Sequence, residues 1–156
     1  MTLKVVAAEK GIGMTKAEAL KFLSETMTML RLGTIDSDGD PNIHPAWFYY
    51  GRGSGKLYLF TWKGSKKVEN VRRRGRVYFD ADDDRPPYRG VRGKASARVL
   101  PPGPRSVTLT RKVVGKYLPL TDRIARSYVA EVQRGDSLVV ELTPLYLSTW
   151  DYAKAS

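Results

Sequence analysis

The sequence predicts a mainly β protein with peripheral helices, an antiparallel barrel of six or seven strands forming one domain over residues 1–156. Three observations carry this. Short runs rich in Val, Ile, Leu, Tyr and Phe recur along the chain, punctuated by Gly, Pro and Asp clusters. Most connections between them are too short for the crossovers that a parallel sheet needs. The chain has 156 residues, 42% of them hydrophobic, enough to form one core without a metal or a disulfide.

Taken in order, residues 1–13 hold a short apolar patch and two glycines and give no readable element. A helix is expected over about residues 15–26. Thr15 and Glu18 have capping-box spacing, and Ala19, Leu20, Leu23 and Met27 recur on one face. A hairpin follows, with strands Met29 to Ile35 and Asn42 to Tyr50 about the Asp36–Pro41 turn. The acids of that turn lack calcium-loop spacing, because Gly39 is fourth and Trp47 stands at the twelfth position. Tyr49 to Lys56 reads as a second turn and Leu57 to Phe60 as the third strand. A helix is expected over Val68 to Arg74, its end marked by Arg72, Arg73, Arg74 and Gly75, read as a solvated cap.

Arg76 to Asp80 is the next strand, and Ala81 to Pro87 an acidic loop. Tyr88 to Leu100 is a long strand that Gly93 interrupts, as a bulge or the close approach of a ligand or backbone would. A helical insertion occupies about residues 103–135, with helices near 105–117 and 121–134. Ser137 to Leu142 and Leu145 to Trp150 close the count, separated by Pro144.

Chemistry is limited by composition. The chain has no cysteine and a single histidine, His44, so thiol catalysis, zinc–thiolate sites and multi-histidine metal sites are excluded. No Gly-x-Ser-x-Gly elbow is present. A catalytic residue is not identifiable and no metal is expected. If the protein is an enzyme, a cofactor carries the hard chemistry. The net charge of +11 calls for an anionic partner, either nucleic acid or a phosphorylated cofactor. No apolar run reaches membrane-span length and no signal-peptide pattern opens the chain, so a cytoplasmic protein is expected.

Thr61-Trp62-Lys63-Gly64-Ser65-Lys66-Lys67 is the most informative stretch. Two hydroxyls, a glycine and two lysines, Lys66 and Lys67, meet where a strand passes into a helix. Lysines in the first turn oppose the helix dipole by about 0.3–1 kcal/mol each. A phosphate bound there would reverse that sign; a solvated helix start with Ser65 as N-cap is the bland alternative.

The order of these features resembles the flavin-binding split-barrel proteins related to pyridoxamine 5′-phosphate oxidase. The carrying residues are Leu32-Gly33-Thr34-Ile35, Pro45-Ala46-Trp47-Phe48, Leu57 to Thr61, Gly64-Ser65-Lys66-Lys67-Val68-Glu69-Asn70-Val71-Arg72, Arg76-Val77, Val91 to Ala95 and Trp150-Asp151. The resemblance implies a dimer with FMN at the subunit interface. It places Thr61, Ser65, Lys66 and Lys67 at the phosphate, and Pro45, Ala46 and Trp47 along the ring. Thr34 would lie near the ring, Arg92 and Gly93 would approach from the long strand, and Trp150 would close the site. The implied function is an FMN-dependent oxidoreductase with a small-molecule substrate and a nicotinamide or similar donor. Some relatives use the deazaflavin coenzyme F-420, whose phosphodiester and polyglutamate tail would suit a basic protein. The C-terminal Arg-x-His pattern of the vitamin-B6 oxidase is missing, so pyridoxamine phosphate is not assigned as substrate. A flavin carrier without turnover fits the same residues. A reading from another class is a single-strand nucleic-acid barrel using Tyr49, Tyr50, Tyr58 and Trp62 as stacking platforms.

Overall fold

The computed structural model describes residues 2–155. Eight strands and four α-helices follow in the order β1 (Lys4–Ala7), α1 (Lys16–Glu25), β2 (Leu30–Ile35), β3 (Pro41–Ala46), β4 (Tyr49–Gly51), β5 (Lys56–Trp62), α2 (Lys66–Arg73), β6 (Arg76–Asp83), β7 (Arg89–Val99), α3 (Pro104–Tyr117), α4 (Arg123–Arg134) and β8 (Ser137–Asp151). The strands form one sheet in the order β3-β2-β6-β7-β8-β5-β4, with β1 added in parallel to β8. All other pairs are antiparallel. β3 and β4 are consecutive in the chain but stand at opposite ends of the strand order, joined only by Trp47-Phe48. The barrel is therefore split between them, and the fold is the antiparallel split β-barrel that the sequence predicted.

Period-two alternation decides the faces. Leu30, Leu32, Leu57, Leu59, Val77, Phe79, Val91, Ala95, Leu142 and Leu147 all enter one buried core, joined by Phe22 and Leu23 of α1. The capping box of α1 is formed as expected: Thr15 Oγ1 accepts from Glu18 N at 3.2 Å, and Thr15 N donates to Glu18 Oε2 at 2.7 Å. A second core lies under α3 and α4, where Leu109, Val113 and Val132 cover Tyr58 and Val139. Glu141 faces α3 from the middle of β8 and is only 1% exposed. It accepts from Arg98 Nε at 2.7 Å, Arg105 Nη2 at 3.0 Å and Lys56 Nζ at 3.3 Å, tying β7, α3 and β5 to β8.

The structure departs from the sequence reading in five places. The run Asn42 to Tyr50, read as one strand, is broken at Trp47-Phe48 into β3 and β4. Residues 4–7 form β1, paired with Tyr146–Thr149. Pro144 does not end a strand, because β8 runs through it by means of a bulge. Lys94 pairs with Tyr146 and Ala95 with Pro144, leaving Leu145 extra, so the missing proline N–H is absorbed by the irregularity. Ala81 to Asp83 belong to β6 rather than to a loop. Arg73 is not merely a solvated cap residue, since its guanidinium donates to Ile35 O at 2.5 Å and to Asn70 Oδ1 at 3.1 Å.

Candidate functional site

The turn from β5 into α2 gathers the hydroxyls and lysines that the sequence singled out. Ser65 is the N-cap of α2, its Oγ accepting from Val68 N at 3.4 Å and from Thr61 Oγ1 at 3.2 Å. The backbone N–H groups of Lys66 and Lys67 have no acceptor among the described residues. Gly64 is required by geometry, because a Cβ there would lie 2.6 Å from Cζ3 of Trp62, whose indole folds back over the turn. The two lysines differ. Lys66 is exposed and its Nζ is 3.4 Å from Glu69 Oε2. Lys67 is half-buried, and among the described residues it makes no ion pair. Burial pushes its amine below the ordinary value.

A polar relay that could not be read from the sequence links Asp36, Asn42, Asn70, Thr34 and His44, the last within the field of Lys67. Asp36 Oδ1 accepts from Asn70 Nδ2 at 2.7 Å and from Asn42 Nδ2 at 3.2 Å. The Asn70 amide nitrogen also donates to Thr34 Oγ1 at 3.0 Å, and Thr34 Oγ1 lies 3.0 Å from His44 Nε2. Asn70 and Thr34 are fully buried. The amide bonds from Asn70 and Asn42 hold the Asp36 carboxyl below its usual range, helped by Lys66 and Arg73. Burial, then the charge of Lys67, lowers the pKa of His44, against a smaller opposite effect of Asp36.

On the other side of Thr61 an aromatic cavity of about 350 Å³ opens, lined by Met29, Trp47, Phe60, Thr61, Trp62, Tyr128, Glu131 and Ser137. Trp47 stacks on Tyr117 with centroids 4.9 Å apart and meets Tyr128 edge-on at 5.9 Å. Tyr117 is fixed in turn, its hydroxyl donating to Thr28 O at 3.0 Å. Of the other residues that the resemblance placed along the ring, Ala46 is buried in the barrel and Pro45 is exposed, paired with Arg31.

Arg92 and Trp150 lie elsewhere, on the outer face of the sheet. With Arg31, Gly33, Ile43, Tyr78, Phe79 and Asp80 they line a cavity of about 410 Å³. Trp150 lies flat there because Gly90 opposite has no Cβ; one would come within 2.8 Å of its Cε2. Gly93 does not share that cavity. It faces the barrel interior, where a Cβ would meet Tyr146 O and come within 2.9 Å of Leu147 Cδ2 and Phe79 Cζ. Asp80 is pushed up to about 6, by burial first and by Asp82 beside it second, although Arg31 bridges the two acids at 3.4 and 2.5 Å. Ile43 is 70% exposed and Tyr78 52% exposed on this face. Tyr50 and Tyr58, by contrast, are buried, so they form no stacking platform for bases. Among the described residues no cluster of three or more potential metal ligands occurs, and no helix is long and apolar enough to cross a membrane.

One small split barrel thus carries a lysine- and hydroxyl-bearing helix start and, elsewhere, an exposed apolar sheet face. The chain belongs to the pyridoxamine 5′-phosphate oxidase family, whose model matches residues 15–151. Among solved structures, a conserved hypothetical protein from Mycobacterium tuberculosis superposes with a TM-score of 0.80 over 96% of this chain and 92% of its own, at 24% identity. An F-420 reductase matches with a TM-score of 0.65 over 82% of this chain and 94% of its own, at 21% identity. A FAD-binding protein from Mesorhizobium loti gives 0.62 over 86% and 92%, also at 21% identity. At these identities the likeness is one of fold. No curated protein matches the sequence.

Proposed function

We propose that the protein is an FMN-dependent oxidoreductase acting as a homodimer, with a reduced nicotinamide or similar donor and a small-molecule substrate. The observation that carries this reading is the turn from β5 into α2: Lys67 is half-buried there and without an ion pair among the described residues, two positions after Ser65, and Thr61, bonded to Ser65, lines an aromatic-walled cavity. These residues fit a phosphorylated aromatic cofactor. Lys67, the Ser65 and Thr61 hydroxyls and the free N–H groups of the first turn of α2 would hold the phosphate. Lys66 would add long-range attraction, being shared with Glu69. Trp47, Phe60 and Tyr128 would exclude water from the apolar part. When bound, the flavin supplies hydride and electron transfer at its ring nitrogen N5.

The dimer is supported by the exposed apolar side chains Ile43 and Tyr78 on the outer sheet face. A second copy on that face would bring Arg92 and Trp150 to a shared site. The second reading, binding of the deazaflavin coenzyme F-420, is favoured by the +11 charge, which suits that coenzyme's acidic tail. The test is the absorption spectrum and mass of the small molecule that co-purifies with the protein, followed by uptake of added FMN or F-420 and assay with reduced nicotinamide. Bound FMN is the expected result. A colourless protein that takes up neither coenzyme overturns both readings.

A further inference from the structure

We infer that His44 is a ligand-binding residue of this site: a neutral imidazole that presents its Nδ1–H to a phosphoryl oxygen held beside Lys67. The inference rests on the phosphate reading above and deepens it, because nothing in that reading requires the histidine.

Hydrogen-bond accounting fixes the tautomer. Asp36, ionised, can only accept, so the side of Asn70 facing it is the amide nitrogen. The opposite side confirms this, since Asn70 Oδ1 accepts from Arg73. The two protons on Asn70 Nδ2 go to Asp36 Oδ1 at 2.7 Å and Thr34 Oγ1 at 3.0 Å. Thr34 is 2% exposed, so its own proton needs an acceptor within the protein. His44 Nε2, at 3.0 Å, is the acceptor in reach. A ring nitrogen that accepts carries no proton, and the proton of the neutral ring is then on Nδ1.

Protonating the ring would require Nε2 to donate to Thr34 Oγ1. The buried Thr34 hydroxyl would then lose its acceptor. The relay and the neighbouring charge of Lys67 oppose protonation together, as burial of the ring does; Asp36 alone pulls the other way. The other charged groups at the relay, Lys66 and Arg73, act on Asp36. A satisfied core histidine would use both ring nitrogens. Here Nδ1 makes no hydrogen bond among the described residues, and the ring is half-buried within the field of the unpaired Lys67. The result is a donor without charge next to a donor with charge, an arrangement that donates one more hydrogen bond to an anion without adding a second buried cation.

The chain has one histidine, so its imidazole nitrogens can be read without assignment by long-range ¹H–¹⁵N NMR. The ligand-free protein should show the Nδ1–H tautomer, with a titration midpoint below the ordinary 6.5. Thr34→Val should erase the tautomer preference, Thr34→Ser should keep it, and Lys67→Met should raise the midpoint. Inorganic phosphate, and then FMN, should move the Nδ1 resonance, and His44→Phe should weaken FMN binding about three- to tenfold, the worth of one neutral hydrogen bond. An Nε2–H tautomer in the parent protein overturns the inference. So does FMN binding by calorimetry that leaves the histidine resonances unmoved, in which case the phosphate reading survives. If neither phosphate nor FMN binds, the phosphate reading falls and takes this contact with it, whatever the tautomer.

Discussion

Replacing Glu141 by Gln removes one negative charge from the centre of β8 while keeping the side chain's shape. The amide oxygen can keep the contacts to Arg98 and Lys56, now as a neutral acceptor, but the amide nitrogen would point donors at Arg105. One charge-assisted contact is lost outright, worth about 1.5–3 kcal/mol, and two are weakened. Arg98 and Arg105 are more than half exposed and recover water when released, which discounts each toward the surface-pair range. The expected cost is about 2–3 kcal/mol by urea denaturation at pH 7. At about 2–4 °C per kcal/mol for a chain of this size, this lowers Tm by about 4–12 °C.

The pH dependence gives a second check. Burial raises the Glu141 pKa, but Arg98 and Lys56 outweigh it, leaving the folded value below the ordinary 4.5. The carboxylate's contribution is therefore complete above the unfolded pKa and is lost as pH falls through the folded one. The gap between the two proteins should persist at pH 6 and close on further acidification below 4.5. A variant within about 0.5 kcal/mol of the parent at pH 7, the ordinary range for a surface change, would refute this account of the cluster.

Four further outcomes are expected. Lys67→Ala should weaken FMN binding at least about tenfold, and Lys66→Ala only about twofold, because Glu69 already shares that charge; equal losses, measured by fluorescence quenching of free flavin, would contradict the distinction. Gly93→Ala should cost about 1–3 kcal/mol in urea unfolding, since its Cβ meets the Tyr146 carbonyl, Leu147 and Phe79. Ile43→Glu should convert a dimer to a monomer in sedimentation velocity, with unchanged far-ultraviolet circular dichroism; an intact dimer places the interface elsewhere. Burial brings the Lys116 amine down to about 8 from 10.5, so the unfolded chain holds more protons between those values and stability rises with pH there. Lys116→Met should flatten that rise, compared by urea unfolding at pH 7.5 and 9.5, and equal slopes would refute it.

What was legible in the sequence was local. Thr15 and Glu18 announce a helix start three residues apart, and Thr61 to Lys67 lie within one turn of chain, so their contacts follow from spacing alone. The relay was not legible, because Asn70 reaches Thr34 and Asp36 across separations of 36 and 34 residues. Asp36 looked like an ordinary turn acid, and Asn70 like any polar helix residue. β1 escaped for a related reason: four residues carry no periodicity, and their partner is Tyr146–Thr149. Pro144 misled because the bulge that accommodates it depends on the neighbouring strand. Tyr50 and Tyr58 looked like a binding surface only because alternation does not tell which face of a strand a helix will cover. Gly93 was read as a bulge or a close approach of ligand or backbone, and it is the backbone of β8 that approaches.

β8 borders β7 on one side and, in turn, β5 and β1 on the other. This has a consequence for synthesis. As the chain leaves the ribosome, β1, β5 and β7 all emerge before the strand they share, and the apolar side chains of Leu57, Leu59 and Val91 have no closed barrel to enter. The nascent protein therefore carries open strand edges until Thr149 has appeared, a state prone to pairing with other chains. Closure then depends on contacts that span nearly the whole sequence, which makes folding slow for the size of the domain. Premature termination anywhere before Ser137 would leave β1, β5 and β7 without a common neighbour, so such fragments are expected to be cleared or to aggregate rather than to persist as smaller folded forms.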